Sequence, residues 1–548
     1  NNLGNTFKDL GMYDEAIENI KIALSLSPKN ANFFNNLGII YKDKGSLKNA
    51  INSFNEATIL EPKFYEAHKN SAITLRKLKR FNEALESYQI LEDLRPDDGF
   101  NMTNIFHLKM MLCIWSDLPN QLSNLSNKIN NNKKVIRPFA LMSLIDDPEL
   151  QKKATKIFSD HKFPKNNELS DIKNHPNNAK IRIGYFSSDF RDHPVSNLMA
   201  ELFELHDRSQ FEIYAFSFGP NTKDHTNLRI KKGVDFFHNV TSFSDKEIAI
   251  LARSLSIDIA IDLGGYTQNS RTGIFAMTVA PVQINYLGYL NTMGASYYDY
   301  LIADTLMIPE ETKYCYTEKI AYLPTFQVND STQQIPGISF TRKDLGLPDS
   351  GFVFCCFNNT YKFNPEVFDC WARILDKVQN SVLFIFADNE LTRVNLTNEI
   401  VKRGIDAERL IFGKKLNRPE YLARFKVADL FLDTHPYNAG ATASDALRMG
   451  LPILTMLGKS YQSRMGASIL RAINLSELIS HSFDSYESIA IELGNNTKKY
   501  NLIKEKLIKN KNIAPLYNSR LFSKNLESAY KVMIERYKKG LKSDHIYL

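Results

Sequence analysis

The sequence has 548 residues, enough for about three or four domains, and its 43% hydrophobic and 24% charged residues are typical of a globular protein. No apolar run approaches the roughly 18 residues that a membrane-spanning helix needs, and the N-terminus has no signal-peptide pattern, so no membrane association is expected. The net charge of +7 is modest for this length, and the late lysine run "KEKLIKNKN" is typical of a solvated helix face, so no nucleic-acid partner is expected.

The cysteine pattern indicates the compartment and argues against a structural metal. The five cysteines are Cys113, Cys315, Cys355, Cys356 and Cys370, and none has the spacing of metal ligands. Two of them lie in the apolar run "FVFCCF", which is typical of buried thiols. We therefore expect a reducing, cytoplasmic location.

The first hundred residues repeat every 34 positions, which is the period of tetratricopeptide repeats. Proline recurs as Pro28, Pro62 and Pro96, and alanine recurs as Ala16, Ala50 and Ala84. Gly4 and Gly38 also recur, and the third repeat has another small residue, Ala72, at the same position. Small residues let paired helices pack closely, and proline closes each unit. The pattern predicts an α-solenoid over residues 1–99. Because the chain begins without Met inside a repeat, we expect further repeats upstream.

Asparagine also recurs at this period, as Asn2, Asn36 and Asn70 on the first helix of each unit. A carboxamide donates and accepts at once, so a ladder of them could bind a peptide backbone whatever its sequence. The concave face of a solenoid commonly binds a partner. The alternative interpretation is a common surface residue in an Asn-rich chain.

Residues 100–177 are predicted to be helical and to end in the polar linker "PKNNELSDIKNHPNNAK". From there short apolar runs such as "IRIGYF", "DIAIDL", "FVFCCF" and "DLFLD" alternate with helical patterns. This alternation predicts two doubly wound α/β domains, at residues 178–340 and 341–548, with a cleft between them. The predicted fold class is an α-solenoid followed by two Rossmann-like α/β domains.

The stretch "HPYNAGATASDALRMG" begins where a predicted strand ends. Ligands of open parallel sheets bind at such ends. Small residues around Gly440 permit close approach, and a helix beginning near Thr442 offers free N–H groups to an anion such as a diphosphate. Asp445, one turn later, could accept hydrogen bonds from ribose hydroxyls. The alternative is an ordinary capped helix, with Ser444 and Asp445 as the capping residues.

Other strand ends of the second α/β domain carry polar and aromatic side chains. Asn359 and Lys362 follow the run "FVFCCF", and a lysine can bind a phosphate as a point charge. Tyr421 and Arg424 lie one helical turn apart and share a face, where they could stack on and hydrogen-bond a nucleobase.

In the first α/β domain, His193 precedes Pro194 at a helix start, which should keep the imidazole neutral and able to accept a proton. A lone histidine at such a position is also compatible with a purely structural role. The glycine-rich strand end "YLGYLNTMG", with Gly288, is predicted to face the same cleft.

Several long motifs occur together in one order: "RIGYFSSDFRDHPVSNLM", "LGGYT", "APVQINYLGY", "FNNTYKFNP" and "NAGATASDALRMGLPILT". With the repeats before them, they resemble the O-GlcNAc transferase and SPINDLY family, glycosyltransferase family 41, which has the GT-B fold. The resemblance covers nearly the whole chain.

The resemblance implies a role for individual residues. His193 matches the family's active-site histidine, and Lys362 matches the lysine that contacts the donor diphosphate and is needed for catalysis. The nucleotide-sugar contacts expected from the resemblance and from the small-residue stretch are Gly288, Asn359, Tyr421, Arg424, Asn438, Gly440, Ala441, Thr442 and Asp445. Protein or peptide acceptors are expected along the repeat groove, at Asn2, Asn36 and Asn70.

These expectations amount to an inverting glycosyltransferase that moves a sugar from a nucleoside diphosphate, UDP-GlcNAc in the first place, to Ser or Thr hydroxyls of proteins. The sequence contains no Asp-x-Asp, so we expect no metal and no other cofactor. The general base stays open between His193, a donor phosphate oxygen and a water relay. Alternatives within the family are protein O-fucosyl or O-glucosyl transfer from GDP-fucose or UDP-glucose. An alternative of another class is a non-catalytic scaffold that binds peptides.

Overall fold

The chain divides into two compact units in a computed structural model that describes residues 1–96, 100–172 and 175–548. One unit contains Asn1–Lys109 and Ser123–Arg137, and the other contains Met110–Leu122 and Pro138–Leu548. The predicted boundary at residue 99 and residues 173–174 of the predicted linker lie outside the described residues.

Paired helices build the first unit. They are α1 (Asn2–Asp9), α2 (Tyr13–Leu26), α3 (Ala31–Asp43), α4 (Leu47–Leu60), α5 (Tyr65–Lys77), α6 (Phe81–Leu94), α7 (Met102–Met111) and α8 (Leu118–Asn130), the last two only partly in this unit. The starts of α2, α4 and α6 follow one another at the period predicted from the sequence.

Small residues are required where the paired helices meet. A Cβ atom on Gly38 would lie 2.4 Å from the ring of Phe54. The recurring Ala16, Ala50 and Ala84 are fully buried. The structure therefore confirms the predicted repeats and the reason for their small residues.

Alternating strands and helices build most of the second unit. In chain order they are α9 (Pro138–Leu141), α10 (Pro148–Lys162), β1 (Ile181–Ser187), α11 (Pro194–Leu205), β2 (Phe211–Ser217), α12 (His225–Gly233), β3 (Phe236–Asn239), α13 (Asp245–Ser254), β4 (Ile259–Asp262), α14 (Gly273–Ala276), β5 (Val282–Asn285), β6 (Tyr300–Ala303) and β7 (Lys319–Tyr322). There follow β8 (Val353–Cys356), α15 (Pro365–Lys377), β9 (Val382–Phe386), α16 (Glu390–Lys402), β10 (Leu410–Gly413), α17 (Arg418–Ala423), β11 (Leu430–Leu432), α18 (Ala441–Arg448), β12 (Ile453–Met456), α19 (Met465–Ala472), β13 (Ile479–Ser480), α20 (Phe483–Asn495), α21 (Thr497–Asn510), α22 (Ser519–Lys538) and β14 (Ile546–Tyr547).

The strands form two sheets whose paired strands are parallel. The first has the order β14-β7-β6-β5-β4-β1-β2-β3 and the second the order β10-β9-β8-β11-β12-β13. We call the part built on each sheet the first and the second lobe. Helices cover both faces of such sheets, which is why β4, β5, β8 and β12 are buried along their whole length. The predicted α/β alternation in two sets is confirmed.

The end of the chain returns to the first sheet. Ile546 of β14 pairs with Ala321 of β7, and α22 packs against α11 of the first lobe. The two sheets therefore do not divide at residue 341, and the domain bounds proposed from the sequence remain predictions. The sequence did not indicate β3, β7, β13 or β14.

All five cysteines are buried and free. Within the described residues, no three His, Cys, Asp or Glu side chains cluster in a way that could hold a metal ion. Across the same ranges, every helix is too short or too polar to cross a membrane.

Candidate functional site

A cleft of about 470 Å³ lies where the second lobe faces the start of α11. Three residues at the carboxyl ends of strands line its walls: Phe357 follows β8, Phe386 is the last residue of β9, and Lys415 follows β10. The residues that the sequence predicted and that line the cleft are His193, Asn359, Tyr421, Arg424, Ala441, Thr442 and Asp445. The prediction of a ligand site beyond the carboxyl ends of parallel strands agrees with this placement.

The start of α18 presents backbone N–H groups beside the cleft. Gly440 is the residue before the helix, and no side chain caps it by a hydrogen bond. Ala441 and Thr442, the first two helical residues, line the cleft. The alternative of a helix capped by Ser444 or Asp445 is wrong, since both lie inside the first turns and are buried. An uncapped helix start is suited to an anion such as a phosphate.

Asp445 is paired with an arginine that the sequence analysis did not identify. Nη1 of Arg418 donates to Oδ2 of Asp445 at 2.6 Å, and Nη2 donates to Oδ1 at 2.7 Å. Such a two-point pair fixes the plane of the carboxylate, and each oxygen keeps a further lone pair for a hydroxyl donor. Arg418 lies one helical turn before Tyr421, and this spacing was the available signal.

An aromatic cage surrounds the guanidinium of Arg424. The group lies 3.8 Å from the ring centre of Phe357 and 4.6 Å from that of Tyr421. Arg424 is only 3% exposed, and its Nε has no hydrogen-bond partner among the described residues. Tyr421 and Arg424 therefore lie on one face, as predicted. A planar guanidinium beside aromatic rings is suited to stack on a planar heterocycle.

Lys362 is buried and does not line the cleft. Its Nζ donates to the backbone carbonyl of Asn438 at 2.9 Å and sits 3.8 Å over the ring of Tyr437. Burial lowers the pKa of Lys362 to about 8, against the opposing effect of the nearby Asp433 carboxylate. The carbonyl of Asn438 therefore orients the ammonium, and the Asp433 carboxylate offsets the effect of burial only in part.

His193 caps the start of α11 and also lines the cleft. The backbone N–H of Val195 donates to Nδ1 of His193 at 3.4 Å, and Oδ2 of Asp189 lies 3.9 Å from the same nitrogen. Burial lowers the pKa of His193 below its ordinary value, although Asp189 opposes this shift. The ring is therefore neutral near pH 7 as predicted. The bond from Val195 is compatible with the tautomer that carries its hydrogen on Nε2, whereas the Asp189 carboxylate faces the nitrogen that carries the hydrogen in the other tautomer.

Two predicted contact residues serve the fold instead of lining the cleft. Asn438 is fully buried, and its side chain donates to the carbonyl of Thr434 and accepts from the N–H of Gly466. A Cβ atom on Gly288 would lie 2.0 Å from the carbonyl oxygen of Leu263, so close packing explains this glycine. Neither residue lines the cleft, and their predicted contact with a nucleotide sugar stays a prediction.

The recurring asparagines of the first unit contact other asparagines. Nδ2 of Asn36 donates to Oδ1 of Asn1 at 2.9 Å, and Nδ2 of Asn70 donates to Oδ1 of Asn35 at 3.0 Å. These bonds link neighbouring repeats and orient the carboxamides. Asn2 is exposed on α1. Their predicted contact with a peptide stays a prediction.

Comparison with known proteins agrees with this geometry. The family model described as glycosyl transferase family 41 matches residues 154–340 and 337–526. Tetratricopeptide-repeat models match residues 4–45 and 31–64.

Relatives with curated names share this combination. One is the probable UDP-N-acetylglucosamine–peptide N-acetylglucosaminyltransferase SEC of Arabidopsis thaliana, 30% identical over 80% of this chain and 47% of that protein. Another is a UDP-N-acetylglucosamine–peptide N-acetylglucosaminyltransferase of Caenorhabditis elegans, 26% identical over 68% of this chain and 42% of that protein. The chain thus spans about half the length, or less, of these relatives.

A solved structure is similar over almost the whole chain. It is a mutant of the O-GlcNAc transferase of Thermobaculum terrenum, with a TM-score of 0.73 and 25% identity over 98% of this chain and 97% of that one. The repeats, the two parallel sheets and the family model that covers more than half of the sequence lead to one conclusion. The chain belongs to glycosyltransferase family 41.

Proposed function

We propose that the protein is an inverting, metal-independent glycosyltransferase that moves GlcNAc from UDP-GlcNAc to Ser or Thr hydroxyls of proteins. The observation that carries the proposal is the cleft itself. It places the caged guanidinium of Arg424, the oriented carboxylate of Asp445 and the uncapped start of α18 along one wall. These groups suit, in this order, a base, a ribose and a diphosphate.

The identity of the donor rests on the relatives. The two curated relatives carry names that state a UDP-N-acetylglucosamine–peptide transfer activity. Tyr421 and Arg424 provide a stacking ring and hydrogen-bond donors for a uracil, whose carbonyl oxygens are acceptors.

In the reaction, the hydroxyl oxygen of the acceptor attacks the anomeric carbon while the bond from that carbon to the β-phosphate oxygen breaks. UDP leaves with the bonding electron pair, and the acceptor hydroxyl loses its proton. Negative charge grows on the departing phosphate, and preorganised positive groups lower the barrier by stabilising it. The start of α18 and the ammonium of Lys362 are the groups that this chain offers for that task.

The tautomer of His193 bears on where the proton goes. With its hydrogen on Nε2, His193 would donate a hydrogen bond to a substrate oxygen; with its hydrogen on Nδ1, towards Asp189, its Nε2 would take the proton of the acceptor. The general base therefore stays open between His193, a donor phosphate oxygen and a water relay.

The acceptor proteins are proposed to bind along the helical repeats, since stacked repeats commonly present a binding face. The protein is proposed to act in the cytoplasm, where free thiols such as its five buried cysteines persist.

Ligand-dependent melting tests the proposed donor site. UDP at about 100 times its dissociation constant should add roughly 2.7 kcal/mol to the free energy of unfolding and raise the melting temperature. EDTA should leave the shift intact. A shift with GDP and none with UDP would overturn the uridine assignment, and loss of the UDP shift in EDTA would overturn the metal-free mechanism.

A further inference from the structure

Gln327 lies beside the start of α18 and is 97% buried, with a relative exposure of 3%. Its Nε2 donates to Oγ of Ser444 at 2.5 Å and to Oδ1 of Asn329 at 3.2 Å. Both donor hydrogens of the carboxamide are therefore used within the protein.

A second amide fixes which way the Gln327 carboxamide faces. Nδ2 of Asn329 donates to the backbone carbonyl of Leu516 at 3.1 Å, so its Oδ1 must face Gln327. Oδ1 of Asn329 accepts its hydrogen bond from the nitrogen of Gln327. A flipped carboxamide would set two oxygens against each other, so the remaining atom of Gln327 is an acceptor.

That acceptor, Oε1 of Gln327, has no hydrogen-bond partner within the described part of the chain. Leaving a buried polar atom without a partner is energetically costly, so such atoms are rare unless a ligand or water completes them.

Oε1 points to the start of the helix. It lies 3.7 Å from the position that a Cβ atom on Gly440 would occupy. Gly440 is partly exposed and directly precedes Ala441 and Thr442, which line the cleft. The acceptor is thus next to the place where the helix start is suited to a diphosphate.

The chemistry of an acceptor in this place narrows the ligand group. Phosphate oxygens are acceptors themselves at neutral pH and would repel Oε1. Two groups beside the diphosphate have hydrogens to donate, the ribose and the transferred sugar. The ribose hydroxyls are matched by Asp445, which leaves the sugar, through its hydroxyls or its acetamido N–H. We propose that Gln327 accepts a hydrogen bond from the transferred sugar and so contributes to donor-sugar selection. This inference rests on the function proposed above.

The test compares dissociation constants for UDP and UDP-GlcNAc by titration calorimetry without acceptor. Gln327→Met keeps the length of the side chain and removes the acceptor. It should weaken UDP-GlcNAc binding about five- to tenfold, the size of one neutral hydrogen bond, and leave UDP binding within about twofold. Gln327→Glu keeps an acceptor oxygen, so the ratio of its two constants should stay near the wild-type ratio.

A matched control is Gln462→Met. Gln462 is also fully buried with a partnerless Oε1 in the described residues, but its Nε2 donates to the carbonyl of Met142 and not to a residue of α18. This variant should change both constants in step. UDP-glucose shows which sugar group Gln327 contacts, because it has hydroxyls but no acetamido group. If the contact is with the acetamido N–H, Gln327→Met should leave the affinity for UDP-glucose unchanged; if it is with a hydroxyl, the affinity for UDP-glucose should also fall.

Equal weakening of UDP and UDP-GlcNAc in Gln327→Met would show a structural role and overturn the inference. So would unchanged constants for both, which would mean that water satisfies Oε1. If the wild-type protein bound neither ligand, the proposed function itself would fail, and this result is distinguishable from either of the others.

Discussion

Lys362 has its ammonium group fixed by a backbone carbonyl and an aromatic ring before any substrate arrives. The carbonyl of Asn438 orients the group, and the ring of Tyr437 lies beneath it. A charge that is already oriented stabilises a transition state without reorganisation at the moment of reaction. Only the part of its attraction that grows as the phosphate departs accelerates the chemical step.

We expect Lys362→Ala to reduce turnover at saturating donor by about 10²–10³, far more than it weakens UDP binding. Lys362→Arg should restore little, because a planar guanidinium does not fit the space of a compact ammonium. Turnover and the UDP dissociation constant, measured side by side, check this. The exposed Lys426→Ala is the control and should change neither. Loss of turnover that is explained entirely by weaker donor binding would contradict the role assigned to Lys362.

The lowered pKa of Lys362 predicts a pH dependence. Burial brings this pKa to about 8, so the ammonium is charged below that pH and loses its proton as the pH rises through it. The kcat/KM for the donor, which reports on the free enzyme, should therefore fall with a midpoint near that pKa. A profile of kcat/KM from pH 6.5 to about 10 tests this, since a free lysine would titrate only near 10.4. A flat profile through pH 9 would contradict it.

The sequence predicted those site residues whose position follows from a nearby strand end or helix start. Tyr421, Arg424 and Thr442 follow strand ends or helix starts, and line the cleft as expected. Arg418 and Gln327 were missed because their partners are distant in the chain. Arg418 pairs with Asp445 across 27 positions, and Gln327 bonds Ser444 across 117. The spacing of Arg418 from Tyr421 indicates a shared helix face, but no local pattern reports the bond from Arg418 to Asp445 or from Gln327 to Ser444.

At the scale of elements, the first helix of each repeat carries asparagines that are already oriented by their neighbours. Asn36 and Asn70 each donate one hydrogen across a repeat boundary. A carboxamide held in this way loses less conformational entropy when it binds a peptide.

Replacing both Asn36 and Asn70 by alanine should therefore weaken whole-protein acceptors by about tenfold or more, taking about 1 kcal/mol for each lost hydrogen bond. Short peptides that occupy only the cleft should be affected much less. The measurement is kcat/KM for a protein and for a peptide acceptor. Asn55→Ala, on the exposed face of α4, is the control. Equal losses for both acceptors, or none, would return these asparagines to an ordinary surface role.

At the scale of the whole molecule, the sequence predicts the repeats and both sets of alternating strands, because helix and strand periodicities are local. It does not predict that the chain ends in the first sheet. β14 has only two residues, and its pairing with β7 joins segments more than 200 positions apart. Beside this pair, the backbone N–H of Ile320 donates to Nδ1 of His545 across 225 positions. Long-range pairing of so short a strand leaves no pattern in the sequence.

The central claim is transfer of a sugar from UDP-GlcNAc to protein hydroxyls, and mass spectrometry of treated acceptor proteins tests it most directly. Separate samples of a cell lysate would each be incubated with the purified protein and one donor, which is UDP-GlcNAc, UDP-glucose or GDP-fucose. A parallel set of samples would contain the Lys362→Ala variant in place of the wild-type protein. The account predicts N-acetylhexosamine on Ser and Thr side chains with UDP-GlcNAc and wild-type protein, and a large loss of this product with the variant. Modification only with GDP-fucose or UDP-glucose, or no modification with any donor, would contradict it.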